Sequence, residues 1–370
     1  LKNFREGIDA IAMHCADACC AAPRKVFNRH RKRLWTVLKK STIVAPSASG
    51  TCAFISSRQR KLPQPVKRRA HNQPPEEAYN KHDEYIIKMV QTEDGFKETY
   101  RTKLDQLPVF SAPHAMRTCP NGNEVAMIRT LHASQPDESL PYSIVTILDA
   151  DEDHDLLLTP QRIYPPQGAE QVGAINAQDA WWVNVSGNFD LAVLWSTAYV
   201  HPMGSVVGAN AENACYCIAT YESITCYEGC EYVGPFHGKA QTASPTASGT
   251  EVAILVRQAP MGNGSGSSES RSTMLHNVYA ESRTEITHAI ALGNSRGVGM
   301  PAHPLDVAKC PSAVAISPSG DCILAVHRRI FKVMLEILVR TTKDVFVSVQ
   351  TIDVSHYTTS GNGEPSLWDD

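Results

Sequence analysis

Pro311–Arg340 reads PSAVAISPSGDCILAVHRRIFKVMLEILVR. An apolar run leads into Ser-Pro-Ser-Gly-Asp, a second apolar run follows, and after Arg328-Arg329 comes a third. Pro and Gly two residues apart make a tight turn, and short β-branched runs on either side of it read as strands. Weaker copies of the centre appear upstream. PNGNEVAMIR (residues 120–129) and ASGTEVAILVR (residues 247–257) both place a Gly and one or two polar residues before an apolar run ending in Arg. AQDAWWVNV (residues 177–185) and AENACYCIAT (residues 211–220) are looser members. Three strand pairs are expected: WWVNV with LAVLWS (residues 191–196), CYCIAT with SITCYEG (residues 223–229), and CILAVHR with KVMLEILVR (residues 332–340). Ser186-Gly187-Asn188 and Glu222-Ser223 suit the hairpin connections.

The turn positions Gly122, Asp179, Asn213, Gly249 and Gly320 are 57, 34, 36 and 71 residues apart. A unit of about forty residues built from hairpins is the size of a propeller blade, which buries its faces only against its neighbours. Residues 118–356 resemble a β-propeller of the WD40-like superfamily. SPSGD resembles the turn before a blade's second strand, and Tyr221–Gly229 is similar to the strand that usually ends in Trp-Asp, here Tyr227-Glu228. Leu194-Trp195-Ser196 looks like the same place one blade earlier. The pattern departs from the family in having no repeated Gly-His marker, and its one Trp-Asp, Trp368-Asp369, stands at the last residues. The resemblance implies an all-β body of six or seven blades over residues 108–370. Its loops would dock other proteins, with Trp181, Trp182, Trp195, Tyr221, Tyr227 and Tyr232 as aromatic anchors or core.

Upstream the texture changes. Residues 1–20 carry Phe4, Ile8, Ile11 and Cys15 at helical spacing, and residues 75–107 do the same with Ile86, Met89, Val90, Phe96, Tyr100 and Leu104, so both read as helical. Asp94-Gly95 would divide the second helix. Between them, residues 21–74 contain fourteen Lys or Arg and no Asp or Glu, while the chain as a whole has a net charge of −3. This span reads as a basic, largely disordered arm with a brief helix over residues 31–40. Its clusters, Arg29, Arg31, Lys32 and Arg33, then Lys67, Arg68 and Arg69, suit nuclear import or nucleic-acid contact, since such runs gain binding free energy by releasing phosphate counterions.

Several function classes are disfavoured. No apolar run is long enough for a membrane span, and no basic region followed by an apolar one opens the chain, so a secretory leader is not expected. Eleven cysteines, an odd number over 370 residues, do not form a small disulfide framework. The expected setting is therefore intracellular, nuclear or cytoplasmic. Cys215, Cys217, Cys226 and Cys230 can in principle close a tetrahedral zinc site, but C-x-C-x8-C-x3-C is not a knuckle spacing and buried thiols explain it better. The alternating aspartates of LDADEDHD (residues 148–155) lack the Gly and Glu of a calcium loop. Gly293-Asn294-Ser295-Arg296-Gly297 matches a nucleophile-elbow pattern with Asp306 and His327 in the right order, yet Pro301 and Pro304 leave no helix after the serine. No phosphate-binding Gly-rich loop is present. The expectation is a non-enzymatic interaction scaffold without cofactor; a serine hydrolase built on Ser295 and His327, or a nucleic-acid-binding protein acting through residues 21–74, are the alternatives.

Overall fold

The computed structural model describes residues 41–47, 49–60, 82–104, 110–131, 143–149, 161–200, 206–208, 214–222, 230–258, 270–288, 311–329, 332–342 and 345–355. Their contacts divide the chain into two units, residues 1–132 with 147–161, and residues 133–146 with 162–370.

The first unit begins with β1 (Ser41–Pro46), β2 (Cys52–Arg60), β3 (His82–Thr92) and β4 (Gly95–Lys103), an antiparallel sheet in chain order. β5 (Phe110–Thr118) and β6 (Glu124–Leu131) follow, in a sheet continued by β7 (Ser143–Asp149) and β8 (Gln161–Ile163), which span the division. Phe54, Ile86, Met116, Val125 and Met127 form the unit's main core, and Ile55, Ile87 and Met89 pack on the other face of the first sheet.

In the second unit, a five-residue helix α1 (Gln167–Gln171) precedes β9 (Asn176–Val185) and β10 (Asn188–Ser196). Then come a small ribbon, β11 (Ala198–Val200) with β12 (Val206–Gly208), and the strands β13 (Cys215–Tyr221) and β14 (Cys230–His237). β9, β10, β13 and β14 make one sheet in chain order, with the ribbon set aside. β15 (Lys239–Pro245), β16 (Glu251–Gln258), β17 (Ser270–Asn277) and β18 (Arg283–Ile286) make the next. β19 (Ala313–Ile316), β20 (Cys322–Arg329), β21 (Lys332–Thr342) and β22 (Val345–Asp353) make the last. Five four-stranded up-and-down sheets repeated along the chain are a β-propeller-like fold.

One turn is repeated almost atom for atom. Gly50, Gly122, Gly249 and Gly320 have φ of 70°, 81°, 73° and 80°, a region open to glycine at little cost. Each donates its N–H to the carbonyl three residues earlier, Ser47, Cys119, Thr246 and Ser317 in turn. Those four residues donate in turn to the carbonyls of Cys52, Glu124, Glu251 and Cys322. The turn therefore joins the first and second strands of four sheets. In the sheet of β9 and β10 its place is taken by Ser186 and Gly187, both at positive φ, the hairpin expected there.

Four expectations are corrected. Within the expected helix 75–107, residues 82–103 are the β3–β4 hairpin; Glu93-Asp94 is its turn, and burial on both faces gives β3 a near-continuous apolar run that mimics helical spacing. Within the basic arm 21–74, residues 41–60 are β1 and β2, whose Ala45, Phe54 and Ile55 are buried. The β9 and β13 segments belong to one sheet rather than two units, with Trp195 opposite Cys217. Among the described residues the four-stranded sheets number five, beside the two-stranded ribbon, where six or seven blades are expected from the sequence. Finally, β13 pairs with β14; residues 223–229, the expected partner, lie outside the described residues, as do the helices expected over 1–20 and 31–40.

Candidate functional site

The most concentrated group of chemistry-bearing side chains lies in the second unit. Glu336 stands in β21 amid Met334, Leu335, Ile337 and Leu338, and it is fully buried. It sits opposite Ala325 of β20, so His327, two residues along on the same face, is its diagonal neighbour. His327 Nε2 lies 2.9 Å from Glu336 Oε2. Just beyond β18, His288 brings Nδ1 to 2.8 Å from the same oxygen. The three side chains are 2%, 1% and 0% exposed for His288, His327 and Glu336. With Glu336 ionised, each imidazole donates one N–H to it, and such charge-assisted bonds are how a buried carboxylate is tolerated. His288 is fixed further by the Thr273 hydroxyl, 3.0 Å from its Nε2. The two rings meet edge to face with centroids 5.2 Å apart. His327 Nδ1 has no hydrogen-bond partner among the described residues.

This arrangement leaves His327 as a strand residue whose Nε2 is occupied and whose ring is sealed from solvent. Ser295 and Asp306, the other members of the expected hydrolase constellation, lie outside the described residues. The clusters Arg29, Arg31, Lys32, Arg33, Lys67, Arg68 and Arg69 also lie outside them, as do Cys226 and Tyr227.

Of the cysteine group, Cys215 and Cys217 share a face of β13, whereas Cys230 pairs with Tyr221 at the other end of the ladder. They do not gather their sulfurs; among the described residues the one cluster of potential metal donors is His288, His327 and Glu336. Burial pushes the Cys217 thiol up to about 12, with the neighbouring cysteines adding to the effect, so it is held as an inert thiol. The expected aromatic anchors Trp181, Trp182, Trp195 and Tyr221 are core, while Tyr232 is exposed.

A second buried network surrounds Tyr216, whose hydroxyl lies 3.0 Å from His276 Nε2 and accepts from Arg283 Nη1 at 3.4 Å. Burial, aided by the Arg283 charge, pushes His276 down to about 4. It is neutral at physiological pH, and the network is a structural one.

The other conspicuous feature is apolar and exposed. Along β22, Phe346 turns inward while Val345, Val347 and Val349 are 50%, 47% and 60% exposed. Val347 sits opposite Val339 of β21, and Val339 opposite Cys322 of β20, two residues before the exposed Leu324. β22 is the edge of its sheet.

Sequence reading found His327 but missed its partners. Glu336 carried a signal, a lone carboxylate inside an apolar strand, KVMLEILVR. His288 carried none, because only the register of two sheets brings it there.

No family model matches the sequence, and no curated protein does. Among solved structures the chain is similar to the Dos1 propeller, at 9% identity and TM-score 0.46 over 85% of this chain and 71% of that one. It is also similar to the β-propeller domain of the Trilobed protease from Pyrococcus furiosus, at 9% identity and TM-score 0.42 over 84% and 71%. A third is a putative TolB from Agrobacterium tumefaciens, at 10% identity and TM-score 0.39 over 84% and 80%.

Proposed function

We propose that the chain is a non-enzymatic scaffold that binds partner proteins through the outer face of its last sheet and an anionic partner through its basic segment. The observation that carries this reading is the valine row of β22. Strands on solvated faces ordinarily alternate apolar with polar residues; here the outward positions 345, 347 and 349 are all valine, on an edge strand beside Val339 and Leu324. Such a face suits a protein partner, which can both cover the valines and add a strand to the edge. Charge supports the second contact, since fourteen cationic residues fall within residues 21–74 without a carboxylate. The reading places the protein in the nucleus or cytoplasm. The occupied Nε2 of His327 favours it over a hydrolase.

The valine face is tested by Val345→Lys, Val347→Lys and Val349→Lys combined. Because these side chains are exposed, stability should change by less than about 1 kcal/mol. Quantitative affinity capture should lose specific proteins with the variant that wild type retains; identical captures would refute the surface.

The basic segment calls for charge neutralisation instead of deletion, because removing residues 21–74 would take out β1, β2 and buried Phe54 and Ile55. Replacing Arg29, Arg31, Lys32, Arg33, Lys67, Arg68 and Arg69 by Gln should lower the salt-dependence slope of duplex DNA binding by up to about 6, near 0.9 per lost phosphate contact. An unchanged slope together with unchanged nuclear accumulation would remove this contact from the reading.

A further inference from the structure

We propose that His288, His327 and Glu336 form a binding site for a divalent transition-metal ion, taken here as Zn2+, that ties the segment after β18 to the last sheet. Three observations converge on it. The donor atoms His288 Nδ1, His327 Nε2 and Glu336 Oε2 all lie within 4.8 Å of one another. Two imidazoles and a carboxylate are a ligand set that Zn2+ accepts readily, whereas Mg2+ and Ca2+ prefer all-oxygen surroundings. The side chains are sealed from solvent and come from three separate places: the segment after β18, then β20, then β21.

The geometry requires small movements. Tetrahedral donors about 2.0–2.1 Å from Zn2+ stand about 3.4 Å apart. The contacts of 2.8 Å and 2.9 Å to Glu336 Oε2 would therefore open by about half an ångström, within side-chain reach. Metal binding needs the lone pairs that now carry protons toward Glu336. In His288 the proton moves from Nδ1 to Nε2, where Thr273 Oγ1 at 3.0 Å is placed to accept it. This is the outer hydrogen bond that commonly orients a metal-bound histidine. In His327 the proton moves from Nε2 to Nδ1. Both rings stay neutral, and the carboxylate cancels one of the two charges of the ion. Three protein donors leave a fourth position for water.

The consequence is structural. Between β18 and β19 the chain runs from the fourth strand of one sheet to the first strand of the next. A metal joining His288 to β20 and β21 would pin the start of that connection onto the last sheet, the one that carries the valine face. Metal binding of this kind is folding free energy, because the unfolded chain has no preformed site.

The test uses the full chain, stripped with a chelator, dialysed and titrated with Zn2+ by calorimetry and elemental analysis. One equivalent should bind, the melting temperature should rise with Zn2+, and the Co2+ form should show no thiolate charge-transfer absorption. Glu336→Gln, close to isosteric, should weaken binding at least about tenfold and abolish the Zn2+-dependent rise in melting temperature. Thr273→Val keeps all three donors and should weaken binding about 10–100-fold, which preserves the test if Glu336→Gln does not fold. Less than about a tenth of an equivalent bound would mean a hydrogen-bonded cluster only and overturn the proposal. So would wild-type affinity in the folded Glu336→Gln and Thr273→Val variants, or a thiolate band, which would assign the ion to cysteines.

Discussion

Gly249→Ala should lower the stability of the second unit by about 3 kcal/mol, more than any other single methyl group added at the repeated turns. Two costs add. At φ of 73° an alanine is strained by about 1–2 kcal/mol. The new Cβ would also run into the Trp182 carbonyl oxygen and stand 2.9 Å from Val183 Cα, both backbone atoms that cannot swing away; overpacking of this kind costs about 1–3 kcal/mol. The turn is wedged between neighbours, since Asn184 N–H donates to Ser248 and Ala247 N–H to Pro318. Trp181 Nε1 also donates to the Gly249 carbonyl. Gly187→Ala is the matched control, with φ of 95° and no atom within 4 Å of the added methyl; it should cost only about 1 kcal/mol. Denaturant midpoints of the two variants check the difference. Equal midpoints would mean that the turn is not packed against its neighbouring sheets.

Trp195→Ala should cost about 3–5 kcal/mol, the usual range for emptying a large buried aromatic site. Trp195 is fully buried in β10, and its Nε1 donates to the Tyr221 hydroxyl at 2.9 Å, which itself donates to the Tyr164 carbonyl. Deletion leaves both a cavity and a broken chain of hydrogen bonds. Trp195→Phe fills most of the volume and removes only the donor, so it should cost about 1–2 kcal/mol. Urea unfolding followed by tyrosine and tryptophan fluorescence measures both; a loss below about 1 kcal/mol for Trp195→Ala would contradict the core assignment.

Much of this fold was legible in the turns. Asn-Gly-Asn, Ser-Gly-Thr and Ser-Gly-Asp each place a glycine at positive φ, and the apolar run after each demands a buried strand, so β6, β16 and β20 are legible from local chemistry alone. The copy at Ala48–Ile55 is as clear as the others: ASGTCAFI beside ASGTEVAIL. Its surroundings are basic, and a dense cationic run without carboxylates reads as a solvated arm, which masks the strand pattern over residues 41–60. β3 misled for a different reason. Ile86 faces one core and Ile87 with Met89 the other, so the alternation that identifies a half-buried strand is absent. The union of β9, β10, β13 and β14 in one sheet could not be read locally, because the β11–β12 ribbon separates the hairpin from its continuation and gives the second pair the look of a new unit. The metal-ligand cluster was half legible: strand chemistry exposed Glu336 as anomalous, but only tertiary register supplies His288.

The most direct measurement of the scaffold reading is site-specific photo-crosslinking from position 347, with a photoreactive aromatic residue replacing Val347 in the full chain and a second placed at the exposed turn residue Gly187 as control. A discrete partner adduct is expected from position 347, suppressed when Val345 and Val349 are changed to Lys, and none from position 187. Equal, diffuse labelling from both positions, or an adduct indifferent to the flanking lysines, would contradict the scaffold reading.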